Sequence, residues 1–301
     1  MKVALLVNPA ARGGSHLGAA STAADRLRSL GVQTAMISGG SAAESTSLLR
    51  AAIGVGVDAV VVAGGDGTVH LAIQEVAGTG IPLGVIPAGT GNDFAATLGL
   101  RELDAHAAAD AIAGGITRDV DLARVTRGDG STVLYASVLA SGFDSKVNDR
   151  ANAMRWPRGE SRYNLAILIE FVRLRGIPYG VRLELPDGSV ESVASDLVMA
   201  TVGNGRTYGG GIPICPDADP EDGLLDVVLV RPAGRMRLLR LLPRVYRGTH
   251  ATVPEVRMMR ARSVHLSASG VTAYADGDPV AVLPVTIDVA PRALTVFTPK
   301  P

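Results

Sequence analysis

The 301-residue chain is 47% hydrophobic and 19% charged, with basic and acidic side chains balanced to a formal net charge of +0. It carries enough apolar material for a sizeable core and is long enough for two domains, while the missing net field and the 4% aromatic content argue against a nucleic-acid-binding protein. Its single cysteine, Cys215, rules out an internal disulfide and suits a reducing compartment.

The chain opens on an apolar run at residues 3–7 that is too short for a secretory signal and ends in the turn signal Asn8-Pro9. No apolar stretch approaches the roughly 18–20 residues of a membrane span, so a cytoplasmic protein is expected, with peripheral contact at the inner face of the membrane left open. As far as residue 86 the pattern alternates: strands at 3–7, 33–37, 59–63 and 82–86, with helices at 17–30, 42–53 and 68–76. Alternation with short glycine-bounded connections predicts a parallel sheet flanked by helices, whose ligands bind at the C-terminal ends of the strands. From Asp121 the pattern is strand-rich, with strands at 121–127, 132–140, 181–185, 196–202, 224–230, 263–267 and 283–289 and helices at 161–175 and 235–247. Turn signals such as Asp129-Gly130 and Pro186-Asp187-Gly188 predict hairpins of a sandwich-like second domain. The expected division is an α/β nucleotide-binding domain at 1–120 and a β-sandwich-like domain at 121–289, with the tail from about 290 to 301 returning to the first. The site is expected in the cleft between them.

The strand at 59–63 runs into Gly64-Gly65-Asp66-Gly67-Thr68. Glycines let backbone approach a bulky polyanion, and a helix starting here aims free N–H groups and its positive dipole end at that anion. Pro87-Ala88-Gly89-Thr90-Gly91-Asn92-Asp93-Phe94 repeats these features after the neighbouring strand, although Asn92 or Asp93 could simply cap a helix. The first strand ends in Asn8-Pro9-Ala10-Ala11-Arg12-Gly13-Gly14, an open turn with an arginine. Five acids fall between Asp217 and Asp226, either a solvated loop or a site for a hard cation. Tyr274-Ala275-Asp276-Gly277-Asp278 reads alone as a hairpin turn, and His70 as a histidine on a helix face rather than a catalyst.

Taken in order, the two glycine loops, the segment Gly203-Asn204-Gly205 through Gly209-Gly210-Gly211 to Asp222-Gly223, and Asp276-Gly277-Asp278 resemble the diacylglycerol kinase catalytic family, which includes soluble bacterial diacylglycerol kinases and the sphingosine and ceramide kinases. The resemblance runs from Asn8 to Asp278. It implies the NAD kinase/diacylglycerol kinase-like fold: an α/β domain with a parallel sheet, and a β-sandwich-like second domain. It also implies ATP held by Asn8, Arg12, Gly13, Ser38, Gly64, Gly65, Asp66, Gly67, Thr68, Thr90, Asn92 and Asp93. Mg²⁺ is implied at Asp66 and Asp93, and a structural Mg²⁺ at the Asp222 carboxylate and the carbonyls of Asp219 and Leu224. Asp276 matches the general base. The implied reaction moves the γ-phosphate of ATP to the hydroxyl of diacylglycerol or a related lipid at a membrane surface. Two positions depart from the pattern: Leu71 stands where a glutamate is frequent, and Arg12 where a glycine is frequent.

A soluble-substrate kinase such as NAD kinase shares the Gly-Gly-Asp-Gly-Thr turn and stays as the alternative, as does an inactive nucleotide-binding regulator. An oxidoreductase is disfavoured, since no Gly-x-Gly-x-x-Gly follows the first strand. Between Arg231 and Arg262 nine arginines face one acid, Glu255. The helix at 235–247 sets Arg237, Arg240, Arg244 and Arg247 on one face. That pattern fits an outer helix packing its leucines, and also a helix lying on an anionic membrane. The sequence leaves room for a homodimer.

Overall fold

The structure, a computed structural model, describes residues 1–7, 15–154, 156–157 and 160–300. Three expected nucleotide contacts, Asn8, Arg12 and Gly13, lie outside the described residues.

The first part alternates strands and helices: β1 (Lys2–Val7), α1 (Ser15–Ser29), β2 (Gln33–Ser38), α2 (Ala42–Val55), β3 (Ala59–Gly64), α3 (Asp66–Val76), β4 (Leu83–Pro87), α4 (Asp93–Thr97) and α5 (Ala105–Ala113). The strands lie parallel in the order β2-β1-β3-β4. β3 is buried along its whole length, as a central strand covered on both faces must be, and its valines suit that place. Local chemistry starts the helices: Ser41 accepts from the Glu44 amide while the Glu44 carboxylate accepts from Gly40, and Asp104 accepts from Ala107.

The second part contains β5 (Thr117–Thr126), β6 (Thr132–Tyr135), β7 (Val138–Gly142), α6 (Phe143–Ala153), α7 (Glu160–Val172), β8 (Ile177–Glu184), β9 (Val190–Leu197), β10 (Met199–Gly203), β11 (Leu225–Val230), α8 (Arg235–Tyr246), β12 (Val256–Ala261), β13 (Ser263–Ser267), β14 (Thr272–Ala275), β15 (Asp278–Val282) and β16 (Val285–Phe297). β16, β13, β8 and β9 extend the parallel sheet, β5 lies between β16 and β6, and a second sheet runs β12-β11-β10-β7-β14-β15. Tyr135, Leu139, Val181, Val202, Leu229 and Ile287 meet between the two sheets in one core, which makes this half a sandwich. We propose the division 1–120 and 121–289 for the two domains. In support of a returning tail, Val296 pairs in parallel with Leu83 and Leu294 to Phe297 pair with Val120 to Thr117.

Two expected strands are each two. The run at 132–140 breaks at Ala136 and Ser137, where the chain leaves the large sheet for the second one, and the run at 196–202 makes the same crossing at Val198. Apolar content continues through both crossings, so periodicity alone does not register them. α6, β12, β14 and β15 fall in stretches that were not assigned, and α3 starts at Asp66 rather than Thr68.

Candidate active site

The ends of β3 and β4 form two loops in contact. A Cβ on Gly89 would sit 2.4 Å from the Cα of Gly65, and one on Gly64 would sit 2.7 Å from the Thr68 hydroxyl, so only glycine allows this approach. α3 begins on Gly65, which offers no side-chain cap, so its first turn can present N–H groups to an anion. Asn92 adopts a left-handed conformation, φ 54°, and both ends of its amide bond Gly89, at 2.9 and 3.0 Å. Its side chain therefore shapes the loop instead of facing the cleft. Thr90 is exposed at the loop tip, and Ser38 is exposed at the end of the edge strand β2, opposite Val7 of β1.

Beside these loops stand two acids. Asp93 is buried, and its two oxygens accept from the amides of Gly211 and Gly210, at 2.8 and 3.0 Å, joining the first domain to the loop after β10. Asp66 accepts from the Phe94 amide at 3.2 Å. Burial, then the charge of Asp93, pushes Asp66 up to about 6, with Asp276 adding to the rise against hydrogen bonds from Phe94 and Asp93. Such gathered negative charge is what a hard cation would relieve, and Asp66 and Asp93 are the two carboxylates here that could hold one.

Asp276 closes the site from the other domain. It and Gly277 are the two residues of the β14–β15 turn, both with positive φ, 50° and 93°, as a tight hairpin requires. The turn holds the carboxylate at the break between β6 and β7, where it accepts from the amides of Ala136 and Ser137 at 3.0 and 2.9 Å. Its third partner is His70 Nδ1, at 3.2 Å, on the second turn of α3. Burial lowers the imidazole pKa, but the hydrogen bond and charge of Asp276, with Asp278 behind it, outweigh burial and raise it above 6.5. His70 thus faces the carboxylate across the cleft, a role that reading it as a helix-face residue missed. Its place two residues after Thr68 was the available signal.

The acidic loop is organised around Asp121 on β5, buried and not singled out by sequence. It accepts from the amides of Gly223 and Arg292 at 2.7 and 2.8 Å, and its own amide donates to Pro220 at 2.6 Å. Asn204, also buried, donates to the carbonyls of Asp121 and Ala136. Asp222 is paired with Arg260 and accepts from Leu224, while Asp219 accepts from Glu221. No group of three or more His, Cys, Asp or Glu suited to a metal occurs among the described residues. With its one carboxylate neutralised by a guanidinium, the set Asp219, Asp222 and Leu224 fits a cation poorly as placed.

Two family descriptions account for most of the chain. The diacylglycerol kinase catalytic domain matches residues 2–125, and the YegS C-terminal NAD kinase beta sandwich-like domain matches residues 137–298. A diacylglycerol kinase of Mycobacterium tuberculosis is 48% identical over 299 residues, 99% of this chain and 96% of the relative. The chain belongs to the diacylglycerol kinase family. A Stenotrophomonas maltophilia protein named "Probable lipid kinase YegS-like" is 32% identical over 258 residues, 82% of this chain and 81% of that one. The crystal structure of a diacylglycerol kinase from Bacillus anthracis has the same fold, with a TM-score of 0.72 over 99% of this chain and 97% of that one at 23% identity. As a diacylglycerol kinase family member the protein is a phosphotransferase with an alcohol acceptor, and the family implies use of ATP.

Proposed function

We propose that this kinase transfers the γ-phosphoryl group of ATP to the hydroxyl of diacylglycerol or a related lipid at a membrane surface, giving phosphatidic acid or the matching lipid phosphate. The single observation that carries the reading is the 3.2 Å contact between His70 and Asp276. It sets a carboxylate from the sandwich beside the glycine loops of the nucleotide domain, although 206 positions separate the two residues in the chain.

In this reading the loops after β3 and β4, with Thr68 and Thr90, cradle the triphosphate through backbone N–H groups, and Ser38 at the end of β2 belongs to the same proposal. Asn8, Arg12 and Gly13 belong to the same proposal. When bound at Asp66 and Asp93, Mg²⁺ supplies charge neutralisation on the phosphoryl oxygens. A lipid alcohol is a weak nucleophile at neutral pH, so Asp276 takes up its proton as the oxygen meets the γ-phosphorus. His70 and the two amides hold that carboxylate in place.

The experiment is incubation with γ-labelled ATP and a panel of diacylglycerol, sphingosine, ceramide and NAD. Label in diacylglycerol is expected. Label in NAD alone contradicts the proposal.

A further inference from the structure

Gln74 is an exposed residue of α3, yet its side-chain amide is bonded at three points. Its Nε2 donates to the carbonyl of Leu134 at 2.8 Å, and its Oε1 accepts from the amide of the same residue at 3.1 Å. Nε2 also donates to the carbonyl of His70, one turn back, at 3.2 Å. β6 accounts for this grip. Among the described residues the strand pairs with β5 alone, which leaves its other edge open. In an antiparallel pair each residue turns its N–H and C=O to the same side. Leu134 turns both to the open edge, and Gln74 meets them as the peptide group of a neighbouring strand would.

The residues that follow Leu134 form the cradle of Asp276. Ala136 and Ser137 donate to its carboxylate, and its own amide donates to the Val138 carbonyl at 3.2 Å. Downstream the cradle is fixed by the amides of Asn204 and Gly205, which donate to the Ser137 carbonyl at 2.9 and 2.7 Å. Upstream it is fixed by the buried Tyr135, whose hydroxyl donates to Val202, and by Gln74. α3 itself starts on Gly65 of the first glycine loop and is seated in the core through Val69, Ala72, Ile73 and Val76. His70 and Gln74 lie four residues apart and so share one face of this helix. One meets Asp276, and the other meets the strand that leads into its amide donors. The helix that starts at the glycine loop therefore also sets where the carboxylate stands. Misplacing reacting groups by about 1 Å costs on the order of 100-fold in rate.

We propose that Gln74 is a positioning residue for phosphoryl transfer. By standing in for a strand on the open edge of β6, it fixes the amides of Ala136 and Ser137, and through them the Asp276 carboxylate, relative to the glycine loop at the start of its own helix. The proposal rests on the reading of Asp276 as the base and adds the residue that sets its distance from the nucleotide.

Gln74→Ala should lower kcat for transfer from γ-labelled ATP to diacylglycerol about tenfold, while the KM for ATP stays within about twofold. Gln74→Met keeps the side-chain length, loses both polar ends and should do the same. Because position 74 is exposed, both variants should melt close to the unmodified protein. The deciding measurement repeats Gln74→Ala in the Asp276→Asn background. A residue that acts through the carboxylate has nothing left to act on there, so the added loss should be under about twofold. Unchanged kcat overturns the proposal, as does an equal tenfold loss in both backgrounds or a raised KM for ATP with kcat retained. Hydrogen exchange supplies a readout that needs no turnover: the amides of Ala136 and Ser137 should exchange about fivefold faster in Gln74→Ala. Unchanged exchange with diacylglycerol transfer intact overturns the role of Gln74 and leaves the kinase reading standing. Faster exchange in a protein that transfers phosphate to no acceptor contradicts the kinase reading and leaves the link between Gln74 and the cradle standing.

Discussion

Asp276 is held by two peptide N–H groups and an imidazole, so its position is determined more tightly than that of a carboxylate on a hairpin tip usually is. Because the imidazole pKa is raised, the charged His70–Asp276 pair stabilises the fold fully below pH 6.5, and this contribution fades as pH rises through the higher value of the folded state. His70→Ala should therefore flatten the decline of Tm above pH 6.5, while lowering kcat about tenfold through a less well-placed carboxylate. A melt series across pH with parallel kinetics checks both. Asp66 shifts stability with pH in the same direction, but here it is the charged form that is unfavourable. With its pKa pushed up from 3.8 to about 6, the folded state holds a proton that the unfolded chain has released, and stability falls as pH rises across that range. Asp66→Asn should stabilise the metal-free and nucleotide-free protein at neutral pH by about 1–3 kcal/mol while abolishing turnover. Equal melting of the two proteins at pH 8 would count against the strained carboxylate.

Among the elements, the two glycine loops carry the sharpest contrast. Gly89→Ala forces a Cβ against the Gly65 backbone and the Asn92 amide, so the loops must separate; destabilisation of about 1–3 kcal/mol is expected, with loss of nucleotide affinity. A Cβ on Gly67 meets nothing within 4 Å. Gly67→Ala should keep its stability within about 0.5 kcal/mol, and any weakening of ATP binding then reports the space the phosphates need. Calorimetric titration with ATP beside thermal melts separates the two effects. These loops were legible in the sequence because glycine spacing after a buried strand has few other uses. Asp121 was not, since its work is to accept from backbone groups of distant segments, and no local pattern announces such partners; Asn204 entered only as part of the Gly203-Asn204-Gly205 segment, without the role that its bonds to Asp121 and Ala136 give it. The Asp222 loop was legible as acidic, but its pairing with Arg260 of β12 depends on a strand that carried no clear period.

For the molecule as a whole, strands β16 and β5 make one sheet serve both halves. Asp93 clasps the loop after β10 from one side and Asp276 meets His70 from the other. The alternating first half announced a parallel sheet, and hairpin signals announced the sandwich. The sheet crossings at 136–137 and 198 escaped notice because a strand that changes sheets stays apolar throughout. The central claim is that residues remote in sequence meet around one triphosphate to activate a lipid alcohol. Transfer of label from γ-labelled ATP to diacylglycerol, compared between the unmodified protein and Asp276→Asn with ATP affinity measured alongside, tests it most directly. The account predicts that kcat falls at least about 100-fold while ATP affinity stays within a few-fold. Undiminished turnover in Asp276→Asn would contradict it.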